Sequence, residues 1–486
     1  MDENGKIDTV QPFLSELLRL HEALTHRRKL ITRPSSEQLS GTLGGRPRQE
    51  SRAVEDVFRE AEQLLSYGMS QGNARFFAVV PGPVSSISWL GDAVSSAFNP
   101  YASCAESATG VVAVERSLIA WIAELFGLPD TAGGQFVSGT SLGTVAALTV
   151  ARDQRLEAGK RHLGVVYMAE TAHFCVAKAL HIIGMQKHQI RMVPCDGDFC
   201  LDVDELGRLV REDVEAELIP FAVVASCGTT TTGSVDPMEA IGSIAEQHGL
   251  WMHVDAAYGG SVALSRSRRW LVQGIGRADS VTWDPHKWLF QTLGCSVVLF
   301  RDASQAVASF AATGNCIKDI ENEAMADPWN YGVELSRPAR HMRLWMSVQV
   351  LGLEALDKMV TRGLELAEHA EAELRGLAGW ELLGPSRMAV LNFRYCPRGM
   401  SEADGDEVNR LISKQVVARG IAVILTVVVG GVRWLRMCTI NPGNRLEDME
   451  EVVRELDQVA RGIGAAFCRN GQDGLCSSEG LCSSEE

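Results

Sequence analysis

No stretch of this sequence is long and apolar. The nearest, Ile421 to Val432, is interrupted by Thr426, Gly430 and Gly431 and falls well short of the roughly 20 residues a spanning helix needs, so no transmembrane segment is expected. Positive charge is also in deficit: 46 Lys+Arg against 61 Asp+Glu leave a net charge of −15. Most of the surface therefore repels a phosphate backbone, which argues against a nucleic-acid partner. Neither a CxxC pair nor a regular cysteine framework occurs. The 12 cysteines are scattered and read as reduced, mostly buried thiols. The N-terminus opens on Asp2 and Glu3 without a basic-then-apolar pattern, so no secretory signal is expected and the expected compartment is cytoplasmic. Metal-ligand spacing is missing too. Cys476 and Cys482 sit in a duplicated Gly-Leu-Cys-Ser-Ser-Glu, a polar tail expected to be disordered, and would need more ligands to hold zinc.

What is present is enough apolar residue, 46% of 486, to bury a sizeable core. From Thr9 to Leu65 the pattern is helical, broken by a Pro/Ser/Gly stretch around Pro34 to Pro47, and suggests an arm or docking segment. From about Gly133, apolar runs alternate with amphipathic ones. Strands are expected at Gln135–Val137, Leu163–Met168, Ile190–Pro194, Phe221–Ser226, Leu250–Val254, Ser280–Trp283 and Ser296–Phe300, with helices between them, among them Met238–His248. Continuous apolar strands separated by helices imply an α/β fold with a mostly parallel sheet covered on both faces. Ligands of such sheets bind at the carboxyl ends of the strands. A long helix from His341 to about Met359 should lead into a smaller α+β domain closed by Val432–Ile440 and a final helix, Arg445–Ile463. The expected division is an N-terminal helical arm (1–75), a large domain (76–338), a small C-terminal domain (339–466) and a tail (467–486).

Four polar clusters follow expected strands. In Phe136-Val-Ser-Gly-Thr-Ser-Leu-Gly-Thr144 a Gly/Ser/Thr loop opens a helix whose free N–H groups suit a phosphate, although an ordinary N-cap by Thr140 or Ser141 explains the residues equally well. The loop has no GxxxxGK, so it is not a nucleotide P-loop. His173 follows the second strand, where a structural histidine is the plainer reading. Asp255, in His253-Val-Asp-Ala-Ala-Tyr-Gly-Gly260, ends a very apolar strand and needs a cationic partner to stay charged. Lys287, in Ser280-Val-Thr-Trp-Asp-Pro-His-Lys-Trp288, sits among aromatics, where desolvation is expected to lower its pKa and make the amine nucleophilic. For each cluster alone, a satisfied structural polar group is the competing reading. Together, a phosphate cradle, a flat ring partner, a buried carboxylate and a buried lysine are the parts that hold pyridoxal 5'-phosphate. No metal or dinucleotide reading uses all four.

These motifs, with Ala225-Ser-Cys-Gly-Thr-Thr-Thr-Thr-Gly-Ser-Val-Asp236 and Leu335-Ser-Arg-Pro-Ala-Arg340, resemble the pyridoxal-phosphate-dependent group II amino-acid decarboxylases of the aspartate-aminotransferase fold type, over about Arg75 to Gly462. The resemblance implies a fold-type I enzyme with a seven-stranded sheet. It also implies that Lys287 bonds the cofactor covalently, Asp255 pairs with its ring nitrogen, His173 stacks on the ring and Ala257 packs on the opposite face. Thr140 and Ser141 would hold the phosphate with help from His286, and Thr230 would sit near the ring hydroxyl or Asp255. Pro81-Gly-Pro83, Trp89 and Tyr101 would build the side-chain pocket, suggesting an apolar or aromatic substrate. Arg436 would be structural or bind the substrate carboxylate. A homodimer with the site at the interface, embraced by the N-terminal arm, is implied as well.

One stretch departs from the family. Between Ala311 and Tyr331, where relatives often carry a tyrosine that reprotonates the α-carbon, the position falls near Ala324–Ala326 and is empty; Tyr331 is the segment's one tyrosine. Loss of that donor accompanies, in this family, a change from amine to aldehyde formation. The expected reaction is thus α-decarboxylation of an L-amino acid to its amine, with His173 or Tyr331 as proton donor. A different pyridoxal-phosphate reaction, such as oxidative decarboxylation, transamination or a lyase step, and a non-catalytic relative are the alternatives.

Overall fold

Seven short strands form one sheet, the central ones buried and apolar on both faces and the edge ones less so. They are β1 (Gly133–Val137), β2 (Gly164–Ala169), β3 (Ile190–Val193), β4 (Ile219–Ser226), β5 (Trp251–Asp255), β6 (Ser280–Trp283) and β7 (Ser296–Phe300), in the spatial order β1-β7-β6-β5-β4-β2-β3. Six run parallel, and β7 is antiparallel to both of its neighbours. The computed structural model describes residues 15–20, 23, 30–43, 49–80, 82–311 and 326–472, and no side chains for 468–472. The C-terminal duplication lies outside the described residues, as does most of the segment on which the missing tyrosine was inferred.

Side chains alternate across the sheet, so two cores form. Val165, Tyr167, Val223 and Trp283 join the core on one face, and Val166, Phe221, Trp251 and Phe300 join the other. Helices α1 (Ser36–Leu43), α2 (Val54–Ser66), α3 (Ser86–Phe98) and α4 (Thr109–Leu125) precede β1, while α5 (Thr140–Arg155), α6 (Phe174–Ile182), α7 (Val203–Glu215) and α8 (Met238–His248) alternate with the strands, and α4, α5, α7 and α8 pack on the sheet. Next come α9 (Ala303–Phe310) and α10 (Met342–Arg375). A smaller antiparallel sheet of β8 (Trp380–Leu382), β9 (Val390–Tyr395), β10 (Leu425–Val429) and β11 (Val432–Cys438) is ordered β8-β9-β11-β10. It packs Leu391, Phe393, Leu435 and Met437 against α10, α11 (Glu402–Ala418) and α12 (Leu446–Gln472).

Three sequence expectations change. The Pro34–Pro47 stretch is not a plain break, since Ser36–Leu43 is helical, capped by Ser35 Oγ accepting the Gln38 N–H at 3.1 Å. Helix α10 continues to Arg375, well beyond Met359, as two helical runs that meet at a kink where Gly352 adopts φ 74° and ψ 162°. Helix α12 runs past Ile463 to Gln472, into residues assigned to the tail. All eight described cysteines are free, five of them buried. Among the described residues no helix is long and apolar enough to cross a membrane.

One buried strand histidine predicts acid sensitivity. His253 of β5 is fully buried; its Nδ1 meets Ser280 Oγ at 2.9 Å while Nε2 has no partner. Burial pushes its pKa down to about 4, below the ~6.5 of an unfolded histidine. The neutral ring's contribution to stability is therefore complete above the unfolded value and is lost as pH falls toward the folded one. At about 1.4 kcal/mol per unit this amounts to about 3 kcal/mol. Urea unfolding at pH 7 and pH 4.5 should show the wild type losing more stability between the two than His253→Gln; equal losses would refute the assignment.

Candidate active site

The parallel strands deliver their following loops to one edge of the sheet, and β7, running the other way, brings its first residues there too. A cavity of about 360 Å³ opens at that edge. Of the residues singled out from sequence, Thr140, Ser141, His173, Thr230, Asp255, Ala257, His286 and Lys287 all line it. Val80 and Leu293 contribute apolar wall.

Each group arrives by a local rule. Helix α5 begins after Gly139, which has no side chain with which to cap it. The N-cap explanation of Thr140 and Ser141 therefore gives way to an uncapped helix terminus facing the cavity, with the positive end of the helix dipole exposed. Thr140 Oγ1 is buried there and unpartnered. His173 is the N-cap of α6, its Nδ1 accepting the Cys175 N–H at 3.3 Å, which leaves the neutral ring's proton on Nε2. Its ring lies against Phe174 with centroids 4.1 Å apart. Asp255 is the last residue of β5, and its Oδ1 accepts the Ala257 N–H at 3.1 Å. Asp284 and Lys287 follow β6, one helical turn apart, with Lys287 Nζ donating to Asp284 Oδ2 at 2.9 Å.

Asp284, unassigned from sequence, is the hub. It is 2% exposed. Its Oδ1 accepts the Thr140 N–H at 3.0 Å and the Ser296 hydroxyl, and its Oδ2 is 3.8 Å from His286 Nε2. His286 Nδ1 lies 3.0 Å from Cys295 O and 3.1 Å from Ser296 Oγ. One carboxylate thus ties the lysine, the helix terminus and the start of β7 together. A carboxylate one turn before a buried lysine was the available signal.

The electrostatics correct one expectation. Burial does oppose the charge on Lys287, but Asp284 and Asp255 outweigh it and hold the ammonium above the ordinary lysine pKa. Burial raises Asp284 in turn, and Lys287 with His286 overcomes this to place it below the usual aspartate range. For Asp255 burial wins: its carboxyl lies above the usual range despite Lys287. A cation placed beside it would favour the charged form. Burial also lowers His173 and His286, which favours neutral rings.

Other residues fall elsewhere. Tyr331 does not line the cavity. Its Cε1 is 3.9 Å from where a side chain on Gly133 would begin, at the opposite end of β1, and the ring packs on the Val137–Leu148 core. Neither Trp89 nor Tyr101 lines the cavity within one chain, and Pro81 lies outside the described residues. Arg436 is buried, donating from Nη1 to Ala78 O at 2.9 Å while Nε and Nη2 lack partners. Tyr258 lines the cavity and had not been singled out; it stacks on Trp288 with centroids 5.0 Å apart.

The donor set suits a phosphate-bearing aromatic aldehyde: an uncapped helix terminus with an orphan hydroxyl at one end, a carboxylate needing a cation at the other, and an amine between. Comparison with known proteins agrees. Residues 42–396 match the model of the pyridoxal-dependent decarboxylase conserved domain. The chain is 33% identical over 395 residues to an aromatic-L-amino-acid decarboxylase of Bacillus atrophaeus, covering 81% of this chain and 82% of that one. It is 27% identical to a phenylacetaldehyde synthase of Petunia hybrida, with 80% and 81% covered. Among solved structures, that of Oryza sativa TDC with PLP and tryptamine superposes with a TM-score of 0.89 at 25% identity, covering 95% of this chain and 100% of that one.

Proposed function

Because the chain belongs to the pyridoxal-dependent decarboxylase family, we propose that it decarboxylates an aromatic L-amino acid to the corresponding amine in the cavity at the carboxyl edge of the large sheet. The observation that carries this reading is the joining of Lys287, Asp284, Asp255 and the uncapped start of α5 in one cavity. The aromatic choice is supported by the Bacillus relative and the rice structure, and by apolar Val80 and Leu293 on the wall.

When bound, pyridoxal phosphate supplies the electron sink that lets the bond between the α-carbon and the carboxylate break. Lys287 is the amine that would bond it, and without the cofactor its ammonium is paired with Asp284. The Thr140 and Ser141 hydroxyls and the Ser141 N–H at the start of α5 would hold the phosphate, with His286 beside them. Asp255 would pair with the protonated ring nitrogen and so favour that form. His173 and Ala257, which both line the cavity, would flank the ring, and Thr230 is at the exposed rim. The Nε2–H of His173 is the donor available within the same chain for returning a proton to the α-carbon.

The partner in this reading is a second copy of the chain. Phe98 of α3 is 83% exposed, Leu65 of α2 is 81% exposed, and Val350 of α10 and Leu335 are exposed as well, apolar side chains that a second copy would cover. Tyr331 can serve as donor only across such an interface. The division into arm (1–75), large domain (76–338) and small domain (339–466) and a cytoplasmic location complete the proposal. Light scattering giving the mass of one chain would remove the dimer.

A second outcome has specific support: the donor tyrosine position is vacant in the sequence, Tyr331 is remote within the chain, and one relative is an aldehyde synthase. Purified holoenzyme offered phenylalanine, tyrosine, tryptophan and glutamate, with products read by mass spectrometry, should yield amine equal to CO2 from the aromatic three. Aldehyde with ammonia and peroxide would transfer the chain to oxidative chemistry, and no CO2 would end the proposal. Tyr331→Phe should leave the product ratio unchanged if His173 is the donor.

A further inference from the structure

The loop after β4 is closed on itself and pinned from outside. Cys227 pairs with Val235 as an isolated antiparallel bridge, the Thr229 N–H donates to Ser234 O at 2.9 Å, and the Gly233 N–H donates to Thr229 O at 2.9 Å. Thr229 and Thr230 line the cavity, while Thr231 and Gly233 meet the small domain. Gly233 lies so close to Arg387 O that a side chain on it would collide. Ser234 Oγ donates to Asp198 O at 2.9 Å, and the Asp198 carboxylate pairs with Arg387 at 2.6 Å. The bond from the small sheet to the turn itself comes from Asn392 of β9, whose Nδ2 donates to Thr231 O at 3.0 Å.

Asn392 is a poor residue for packing. It is 6% exposed on an inner strand of the small sheet, on the face opposite Leu391 and Phe393, which join that domain's apolar core. Its Oδ1 is buried without a partner, and a buried polar atom left unpaired costs stability. Arg436, directly across on β11, likewise keeps Nε and Nη2 unpaired. Under-satisfied polar side chains held in a buried position need a reason other than stability, and for Asn392 that reason is the bond it does make. We propose that Asn392 is a positioning residue: acting through Thr231, it fixes the turn that presents Thr229 and Thr230, so that the small domain sets how firmly the cofactor is held. The cofactor's presence rests on the proposed function, whereas the state of the turn is read on the chain without it.

The full chain, stripped of cofactor, is followed by amide hydrogen exchange resolved by mass spectrometry. Asn392→Ala should speed exchange across residues 228–234 about tenfold, and so should Asn392→Leu, which fills the space without a donor. Ser413→Ala removes a comparable bond inside the small domain, from Ser413 Oγ to Ile424 O at 2.7 Å, and should leave that segment as in the wild type. In the loaded enzyme, release is timed by the bound cofactor's absorbance, with alkaline phosphatase present to destroy what leaves. Both Asn392 variants should release it about tenfold faster, and Ser413→Ala at the wild-type rate. Unchanged exchange in both Asn392 variants, or equal acceleration by Ser413→Ala, would overturn the proposal, as would faster exchange with unchanged release. A wild type that takes up no cofactor would defeat the proposed function and leave the exchange comparison to decide the role of Asn392.

Discussion

Asp255→Asn should lower turnover by about two to three orders of magnitude while leaving the chain folded. The asparagine side chain has nearly the same shape, and its oxygen can still accept the Ala257 N–H that Asp255 Oδ1 accepts at 3.1 Å. What disappears is the negative charge at the end of β5. Burial already pushes the Asp255 carboxyl above its usual range, so a cation beside it would favour the anion. In the proposed function that cation is the protonated ring nitrogen, and without it the ring is a poor electron sink. The loss should fall on kcat, because the phosphate is held by α5 and His286 on the other side of the cavity. Turnover within threefold of wild type, at full cofactor occupancy by absorbance, would show that Asp255 has only a structural role.

Arg337→Ala should cost about 3–5 kcal/mol, the usual consequence of leaving one half of a buried ion pair behind. Glu115 and Arg337 are 2% and 3% exposed. The guanidinium reaches Glu115 Oε1 at 2.5 Å and Oε2 at 3.2 Å, Ala102 O at 3.0 Å and Phe136 O at 2.8 Å. Burial raises the Glu115 carboxyl, but Arg337 and His341 overcome that and hold it below the usual range. Removing the arginine strands the charge. Phe136 is bound from both sides, its N–H by Glu115 at 2.8 Å and its carbonyl by Arg337, and the phosphate loop starts two residues later. Unfolding in urea should shift strongly for Arg337→Ala, and cofactor should dissociate at lower denaturant than the transition itself. Arg337→Met with Glu115→Leu should recover much of the loss, since no charge remains to be solvated. A single substitution costing under 1 kcal/mol would contradict the account.

The sheet was readable because burial on both faces writes a strand as an unbroken apolar run, as in Phe221–Ser226 and Ser296–Phe300. The cavity followed from the same feature, since polar residues placed just after such runs gather at one edge. Asp284 was hidden because a carboxylate between a tryptophan and a proline has no periodicity of its own; its bonds to Thr140 and Ser296 join parts of the chain far apart in sequence. Tyr331 was misleading for the opposite reason: it is close to the expected donor position along the chain but is carried to the far end of β1 by packing against Ala303 and Gly133.

The insertion of β7 between β1 and β6 also sets a timetable. Strand β1 has no neighbour in the sheet other than β7, so during synthesis Gly133–Val137 must wait for Ser296–Phe300 to leave the ribosome. At ordinary elongation rates of roughly 5–20 residues per second this is a delay of about ten seconds or more. Through that interval the nascent chain carries an unpaired apolar edge, the kind of segment that invites wrong pairing or a chaperone. Thr140 and Asp284 cannot meet until it ends, so cofactor capture is a late, post-assembly event, and the finished phosphate loop certifies that the central sheet has closed.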